Sequence, residues 1–159
     1  MSANMFLKFE GPDIHGASTE AGREGEIEVL SWSHGFSQPG SASRGTVEQA
    51  SHQNFTFTKY LDSATNALLK ACWSGKQFRK ATLTCYRGEG ANRSEYLSVI
   101  MEHVILSNYS VSGGPGDVPV ENISLDYGIV QYQYKEQKSR DGGDPNLPAK
   151  HNLETKSIE

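Results

Sequence analysis

Tyr96-Leu97-Ser98-Val99-Ile100-Met101-Glu102-His103-Val104-Ile105-Leu106 is the stretch on which the fold class turns. At helical spacing, Leu97, Ile100, Met101, Val104 and Ile105 share one face. At period two, Leu97, Val99, Met101 and Ile105 face one way, while Tyr96, Ile100, Val104 and Leu106 face the other. The preceding Arg87-Gly88-Glu89-Gly90-Ala91-Asn92 is a turn-rich link of the kind that joins hairpin strands. That link selects a long strand covered on both faces.

Working outward, other segments alternate in the same way. Met5-Phe6-Leu7-Lys8-Phe9 places Met5, Leu7 and Phe9 on one face. Ile27 to His34, Phe55 to Thr58, Ala81 to Tyr86, Ile123 to Tyr127 and Val130 to Tyr134 are further strand candidates. They are rich in β-branched and aromatic residues and bounded by Gly, Ser, Asn and Asp. One stretch reads as a helix, Ser63 to Trp73, with Leu68, Leu69 and Cys72 at helical spacing. Asp62 or Ser63 can cap its start and Gly75 its end, and Lys70 and Lys76 suit its negative terminus. The expected fold is mainly β with one α-helix, a barrel or a sandwich.

Ser37 to Asn54 is polar and longer than ordinary connections, which marks a functional or mobile loop. Ser112 to Val118 is a second surface turn. Residues 1–137 are expected to form one domain. Residues 138–159 are expected to be a polar tail, weakly packed or partly disordered, since Lys135 to Glu159 carries five positive and five negative side chains and little that is apolar.

Composition excludes several classes. The chain has 159 residues and a net charge of −4, from 15 Lys and Arg against 19 Asp and Glu. No Lys/Arg stripe offers a footprint for nucleic acid or an anionic membrane. No apolar run is long enough to insert in a membrane as a helix. The N-terminus has neither the basic region nor the apolar core of a secretory signal, so folding is expected to begin in the cytoplasm. Cys72 and Cys85 have neither disulfide-scaffold nor metal-knuckle spacing and read as two small buried hydrophobes.

No constellation for catalysis stands out. The histidines, His15, His34, His52, His103 and His151, form no metal-binding pair at helical spacing. His103 reads as a packed or hydrogen-bonded core residue. There is no G-x-S-x-G elbow and no phosphate loop. Glu24 and Glu26 read as a solvated pair in a turn. Trp32 reads as a core anchor alternating with Leu30, and Trp73 as the end of the helix. Ser31 and Ser33, interleaved with Trp32, are small and polar, as at a wall between a core and a water-filled space. No enzyme activity and no cofactor are expected.

The order of motifs carries a resemblance. Asp13-Ile14-His15-Gly16-Ala17-Ser18 is followed by Ile27-Glu28-Val29-Leu30-Ser31-Trp32-Ser33-His34-Gly35. Phe57-Thr58-Lys59-Tyr60-Leu61-Asp62 then leads into a helix ending Ala71-Cys72-Trp73-Ser74-Gly75-Lys76. Glu95-Tyr96-Leu97, Val104-Ile105-Leu106-Ser107 and Tyr132-Gln133-Tyr134 come last. From about Met1 to about Gln137 the chain resembles the Hcp family, the haemolysin-coregulated proteins of the type VI secretion inner tube.

The resemblance implies a β-barrel-like fold akin to phage tail-tube proteins. It implies hexameric rings with a wide lumen, stacked into a tube that a contractile sheath expels. Implied partners are further copies of the chain, a tip spike protein, sheath and baseplate proteins, and small effectors in the lumen. Implied locations are the cytoplasm and, without a cleaved signal, the exterior. Ser31 and Ser33 are then expected to face the lumen, with the helix lining or bordering it. Ser41, Ser43, Arg44, Thr46, Glu48 and His52 are expected in a loop that reaches the next ring. Many relatives end in a strand with an aromatic residue, which Lys150–Lys156 lacks, so no final strand is carried over. The alternatives from other classes are a monomeric barrel for a small ligand and an exported effector enzyme.

Overall fold

Alternation gives every strand two faces, and which face meets the core depends on pairing. The structure, a computed structural model, describes residues 4–88, 93–135 and 147–159. Its elements are β1 (Met5–Glu10), β2 (Ile27–Glu28), β3 (Ser31–Ser33), β4 (Phe36–Ser37), β5 (Ser51–His52), β6 (Phe55–Tyr60), α1 (Thr65–Ser74), β7 (Gln77–Arg87), β8 (Ser94–Ser112), β9 (Val120–Asp126), β10 (Ile129–Tyr134), β11 (Ala149–Asn152) and β12 (Ser157–Ile158).

The ambiguous stretch is a strand, part of β8, and at 19 residues β8 is the longest element described. One of its edges pairs with β7. Its other edge is shared: Leu97 to Glu102 pair with β10, and Ile105 to Ser112 pair with β9. From β9 the pairing continues to β6 and then to β3, and from β7 it continues to β1 and then to β2. β2 and β3 are neighbours in sequence, and the residues between them also bond both ways. Val29 N–H donates to Met5 O at 3.0 Å, and Leu30 N–H to Thr58 O at 2.8 Å. Segment 27–33 thus closes the sheet into a barrel-like circuit, which removes the free edges of β1 and β6. β10, β11 and β12 form a wing off the first half of β8.

Leu7, Phe9, Phe55, Phe57, Leu83, Met101 and Ile123 fill the barrel interior, and Leu68 and Ala71 of α1 join the same core. Trp32 is half-buried and stacks on Phe55 with ring centroids 5.8 Å apart, as an anchor should. Leu30, expected to share its role, is instead 42 % exposed, because its backbone turns toward β6 there. Trp73 is 77 % exposed at the end of α1.

The helix begins two residues later than its spacing predicts. Asp62 Oδ1 accepts from Ala64 N–H at 2.8 Å, and Thr65 Oγ1 accepts from Asp62 N–H at 3.1 Å. Those bonds consume Ser63 and Ala64 in a turn leading in. Gly75 closes the helix at φ 64°, a left-handed geometry that favours glycine, with its N–H on Ala71 O.

Beneath α1 lies a buried ionic cluster. Lys59 and Glu121 are opposite one another in the β6–β9 register, and both are fully buried. Lys59 Nζ bonds the Glu121 carboxylate, reaches Asp62 Oδ1 at 2.9 Å and donates to Tyr60 O at 3.0 Å. The Thr65 hydroxyl donates to Glu121 Oε1 at 3.1 Å, and the Tyr109 hydroxyl donates to Oε2. Burial, and then Glu121, hold the Tyr109 hydroxyl well above its usual pKa, so it remains a donor. The cluster ties the start of α1 to β6, β8 and β9.

The tail differs from expectation. Residues 136–146 lie outside the described residues, but 149–158, expected to pack weakly, form β11 and β12, with β11 on β10. The Leu153 N–H donates to Gly128 O at 2.8 Å, and its side chain packs on the core. A backbone ladder needs no aromatic side chain, so the strand forms without one. His103, expected in the core, is exposed at φ 54° where β8 passes from β10 to β9, and its Nδ1 lies 2.7 Å from Glu154 Oε1. Glu26, expected to be solvated, is buried and paired with Arg23 at 3.3 Å. Cys85 is fully buried, and Cys72 is only partly so.

Lys59→Met leaves the Glu121 carboxylate buried without its cation. The expected loss is about 3–5 kcal/mol of unfolding free energy, read from the denaturant midpoint at neutral pH. A change within about 0.5 kcal/mol would mean that the cluster does not hold α1 to the barrel.

Candidate functional site

Two surfaces and one side-chain cluster stand out. The first surface is the outward face of the β3–β6–β9–β8 sheet. Ser31 pairs with Thr58, Thr58 with Asn122, and Asn122 with Ser110. In the next row Ser33 pairs with Thr56, Thr56 with Ser124, and Ser124 with Asn108. Between the rows, Trp32, Phe57, Ile123 and Tyr109 point to the other side. Every side chain in the two rows is a small hydroxyl or amide, and none is charged.

The hydroxyls bond laterally. Ser31 Oγ and Thr58 Oγ1 are 2.6 Å apart, and Thr56 Oγ1 and Ser124 Oγ are 3.0 Å apart. Beside them Asn54 Nδ2 donates to Ser107 Oγ at 2.8 Å. Hydroxyl protons rotate to suit whatever is present, so such a surface wets well and holds nothing tightly. Ser31 and Ser33, the pair singled out from sequence, are both exposed on this face. Thr56, Thr58, Asn108, Ser110, Asn122 and Ser124 were missed. Alternation in each strand carried the signal, but only the register lays the strands side by side.

The second surface is the projecting segment after β3. Expected as a structureless loop, it is a self-bonded hairpin. Phe36 pairs with His52 and Ser37 with Ser51. Ser41 and Thr46 exchange backbone bonds at 3.0 Å each. The Gln38 side chain spans the interior, donating to Glu48 O at 2.6 Å and accepting from Glu48 N–H at 3.0 Å. These bonds supply the order that its polar composition concealed. Ser41, Ser43, Arg44, Thr46 and Glu48 lie together on the outer part. His52 is separated from them at the root, where it faces the barrel.

There it joins a cluster that spacing alone did not reveal. His34 Nδ1 lies 2.5 Å from the Tyr132 hydroxyl, and His34 Nε2 lies 2.7 Å from the Tyr127 hydroxyl. The same Tyr127 oxygen is 2.6 Å from His52 Nδ1, and His52 Nε2 is 2.8 Å from His151 Nδ1. Phe36 and Phe55 flank it, with ring centroids 4.4 and 5.5 Å from that of His34. Burial, reinforced by His52, pushes His34 down to about 4. Burial, then His151, lowers His52 as well. Burial pushes Tyr132 up to about 12 and Tyr127 higher still. At neutral pH His34, His52, Tyr127 and Tyr132 are therefore uncharged.

Chemically, neither surface presents a nucleophile beside a base. Among the described residues no group of three or more His, Cys, Asp or Glu is arranged to hold a metal ion. Burial raises the Cys85 thiol, which keeps it protonated and inert.

Comparison with known proteins matches this geometry. A family model described as type VI secretion system effector, Hcp, matches residues 6–134. The Pseudomonas aeruginosa protein hcp1 is 37 % identical over 155 residues, covering 95 % of this chain and 94 % of that protein. The crystal structure of Hcp1 from Salmonella typhimurium superimposes with a TM-score of 0.80 at 29 % identity, covering all of both chains. A type VI secretion system effector from Yersinia pestis does so with a TM-score of 0.77 at 26 % identity, covering 94 % of this chain and 99 % of that one. Hcp proteins are structural rather than enzymatic, assemble as hexameric tubes and are secreted through the type VI system. A mainly β chain, with one helix in its described residues and matched to the Hcp family over most of its length, therefore belongs to that family of type VI secretion tube proteins.

Proposed function

We propose that the uncharged hydroxyl face lines the lumen of the ring, and that the projecting hairpin reaches the next ring of the stack. The observation that carries the reading is the pair of rows Ser31–Thr58–Asn122–Ser110 and Ser33–Thr56–Ser124–Asn108, which crosses four strands without a charge. A wall built this way suits passage. It stays hydrated and offers weak, exchangeable hydrogen bonds to varied small effector proteins. α1 borders this wall, held by the Lys59–Glu121 cluster. Effectors ride in the lumen, and the tube engages a tip spike protein, sheath and baseplate. Subunits are present in the cytoplasm before export and outside the cell after it.

The hairpin suits contact between rings for a different reason. Its shape is set by its own bonds, so it extends with little loss of chain entropy on docking. Arg44, Glu48 and the 86 % exposed Val47 put both charges and an apolar side chain on its outer part. Head-to-tail contact between copies generates a ring when the rotation closes, and a second contact along the axis generates the stack.

Light scattering of the purified chain should give six times 17.5 kDa. A persistent monomer at high concentration would sink the ring, and a closed apolar cavity in that monomer would favour the ligand-binding alternative. Ser33→Tyr should leave the ring mass unchanged and weaken retention of a co-expressed effector about tenfold, near 1.4 kcal/mol. Loss of folding instead would place Ser33 in a core. Removing residues 42–45 should preserve single rings and abolish tubes under conditions where the parent chain forms them, as counted in negative stain. Tubes of unchanged length would remove the hairpin from stacking.

A further inference from the structure

β4 and β5 form a two-stranded sheet of their own, outside the ten-stranded sheet. Among the described residues, the side-chain hydrogen bonds from segment 36–52 to the rest of the chain come from His52. Ring contacts add to them, since Phe36 packs edge-on to Tyr132 with centroids 5.9 Å apart. The hairpin is therefore held at its root by the chain Tyr132–His34–Tyr127–His52–His151. That chain joins the end of β3, the root of the hairpin, the β9–β10 turn, β10 and β11.

Each neutral imidazole has one donor and one acceptor. The four contacts are all satisfied if every proton points the same way along the chain. Tyr132 then donates to His34, His34 to Tyr127, Tyr127 to His52 and His52 to His151, or the whole order is reversed. Added protons work against the closed cluster: one proton leaves the four bonds satisfiable but sets a charge where hydration is reduced, and a second breaks the order. Charging both His52 and His151 sets N–H against N–H across 2.8 Å. Charging His34 or His52 puts a cation among Phe36, Phe55 and two phenols.

We propose that this cluster is an acid-operated clasp: it fixes the hairpin root to the barrel and to β11 while His34 and His52 are neutral, and releases the hairpin when those two take up protons. The groups that bear on His34 are Tyr127 and Tyr132 from the turn and β10, His52 from the hairpin, and the backbone of Gln53, whose hydrogen bond favours the charged ring and opposes part of the lowering. Those that bear on His52 are Tyr127 and, from β11, His151. Phe55 of β6 brings no charge. Asp126, next to Tyr127, acts on the Tyr127 hydroxyl and raises its pKa further. Lys150 is the neighbour of His151 on β11, and alternation turns its side chain to the other face of the strand.

The direction follows from linkage. Freed of the barrel, the imidazoles regain ordinary hydration and a pKa near 6.5. In the closed clasp His34 and His52 sit lower, His34 at about 4. Between those values the open form binds more protons, so falling pH drives opening and the clasp is fully closed above about 6.5.

Its consequence for tubes rests on the reading of the hairpin as the contact between rings, and the experiment separates the two. Amide hydrogen exchange, corrected for intrinsic rates, is measured on the ring at pH 7.5 and 4.5. Protection of the Gln53 amide, which donates to Gly35 O, should fall by roughly tenfold or more while β7 and β8 amides hold theirs. The double variant His34→Gln, His52→Gln should show no such dependence. In the parent chain the loss of protection should track titration of the His34 and His52 ring protons by NMR, which needs no folded variant. Protection independent of pH, or lost away from that titration, overturns the clasp. Tubes counted at both pH values give the other arm: root opening with tubes intact supports the clasp and sinks the stacking role of the hairpin.

Discussion

The constraint on which the rest depends is the double use of one strand edge. Backbone N–H and C=O groups must be paired along both edges of a buried strand. Along one edge β8 meets β7, while its other edge is divided between β10 and β9, which follow one another through a turn at Tyr127 and Gly128. The division falls at His103, whose left-handed backbone bends the strand there. Gly128 N–H donates to Glu102 O at 3.0 Å, and a Cβ at Gly128 would make the Glu154 carboxylate shift from its place beside His103. A barrel and a wing are thus built on one piece of backbone, and the C-terminal segment packs into the place where they part.

From that point the polar residues divide by role. Those facing inward are few and fully partnered. Lys59 and Glu121 are held by Asp62, Thr65 and Tyr109. Their value lies in position rather than strength, since a buried pair of this kind adds little net stability over apolar residues. They fix where α1 starts. Residues facing outward on the four-strand sheet are small and uncharged. Under the proposed reading, passage along such a face follows from shape and wetting, with no reactive group required, in keeping with a non-enzymatic family.

The hairpin lies outside the ten-stranded sheet. Its stem and outer part are held by its own bonds, and its root by rings that include three histidines. A projecting element built this way is stiff in itself yet separable from the body. A switch needs that combination, because the protons act on the root while the outer part keeps its shape.

Much of this was legible in the amino-acid sequence. Phe55-Thr56-Phe57-Thr58 and Ala81 to Tyr86 announce strands by period, and Gly75 ends α1 where a left-handed residue is needed. The order of those motifs along the chain was enough to recognise the family, because alternation and turn residues are local properties. What the sequence could not decide was everything set by register and by distant partners. Ser31 lies beside Asn122 only through Thr58, His34 meets Tyr132 from 98 residues away, and His151 reaches back to His52 across 99. The tail, unpromising in composition, is ordered by a backbone ladder that composition does not encode. Side-chain period is a matter of neighbours in the chain, whereas the lining of a surface, the pairing of a buried charge and the assembly of a histidine cluster depend on which strands close on which, and only the folded barrel determines that.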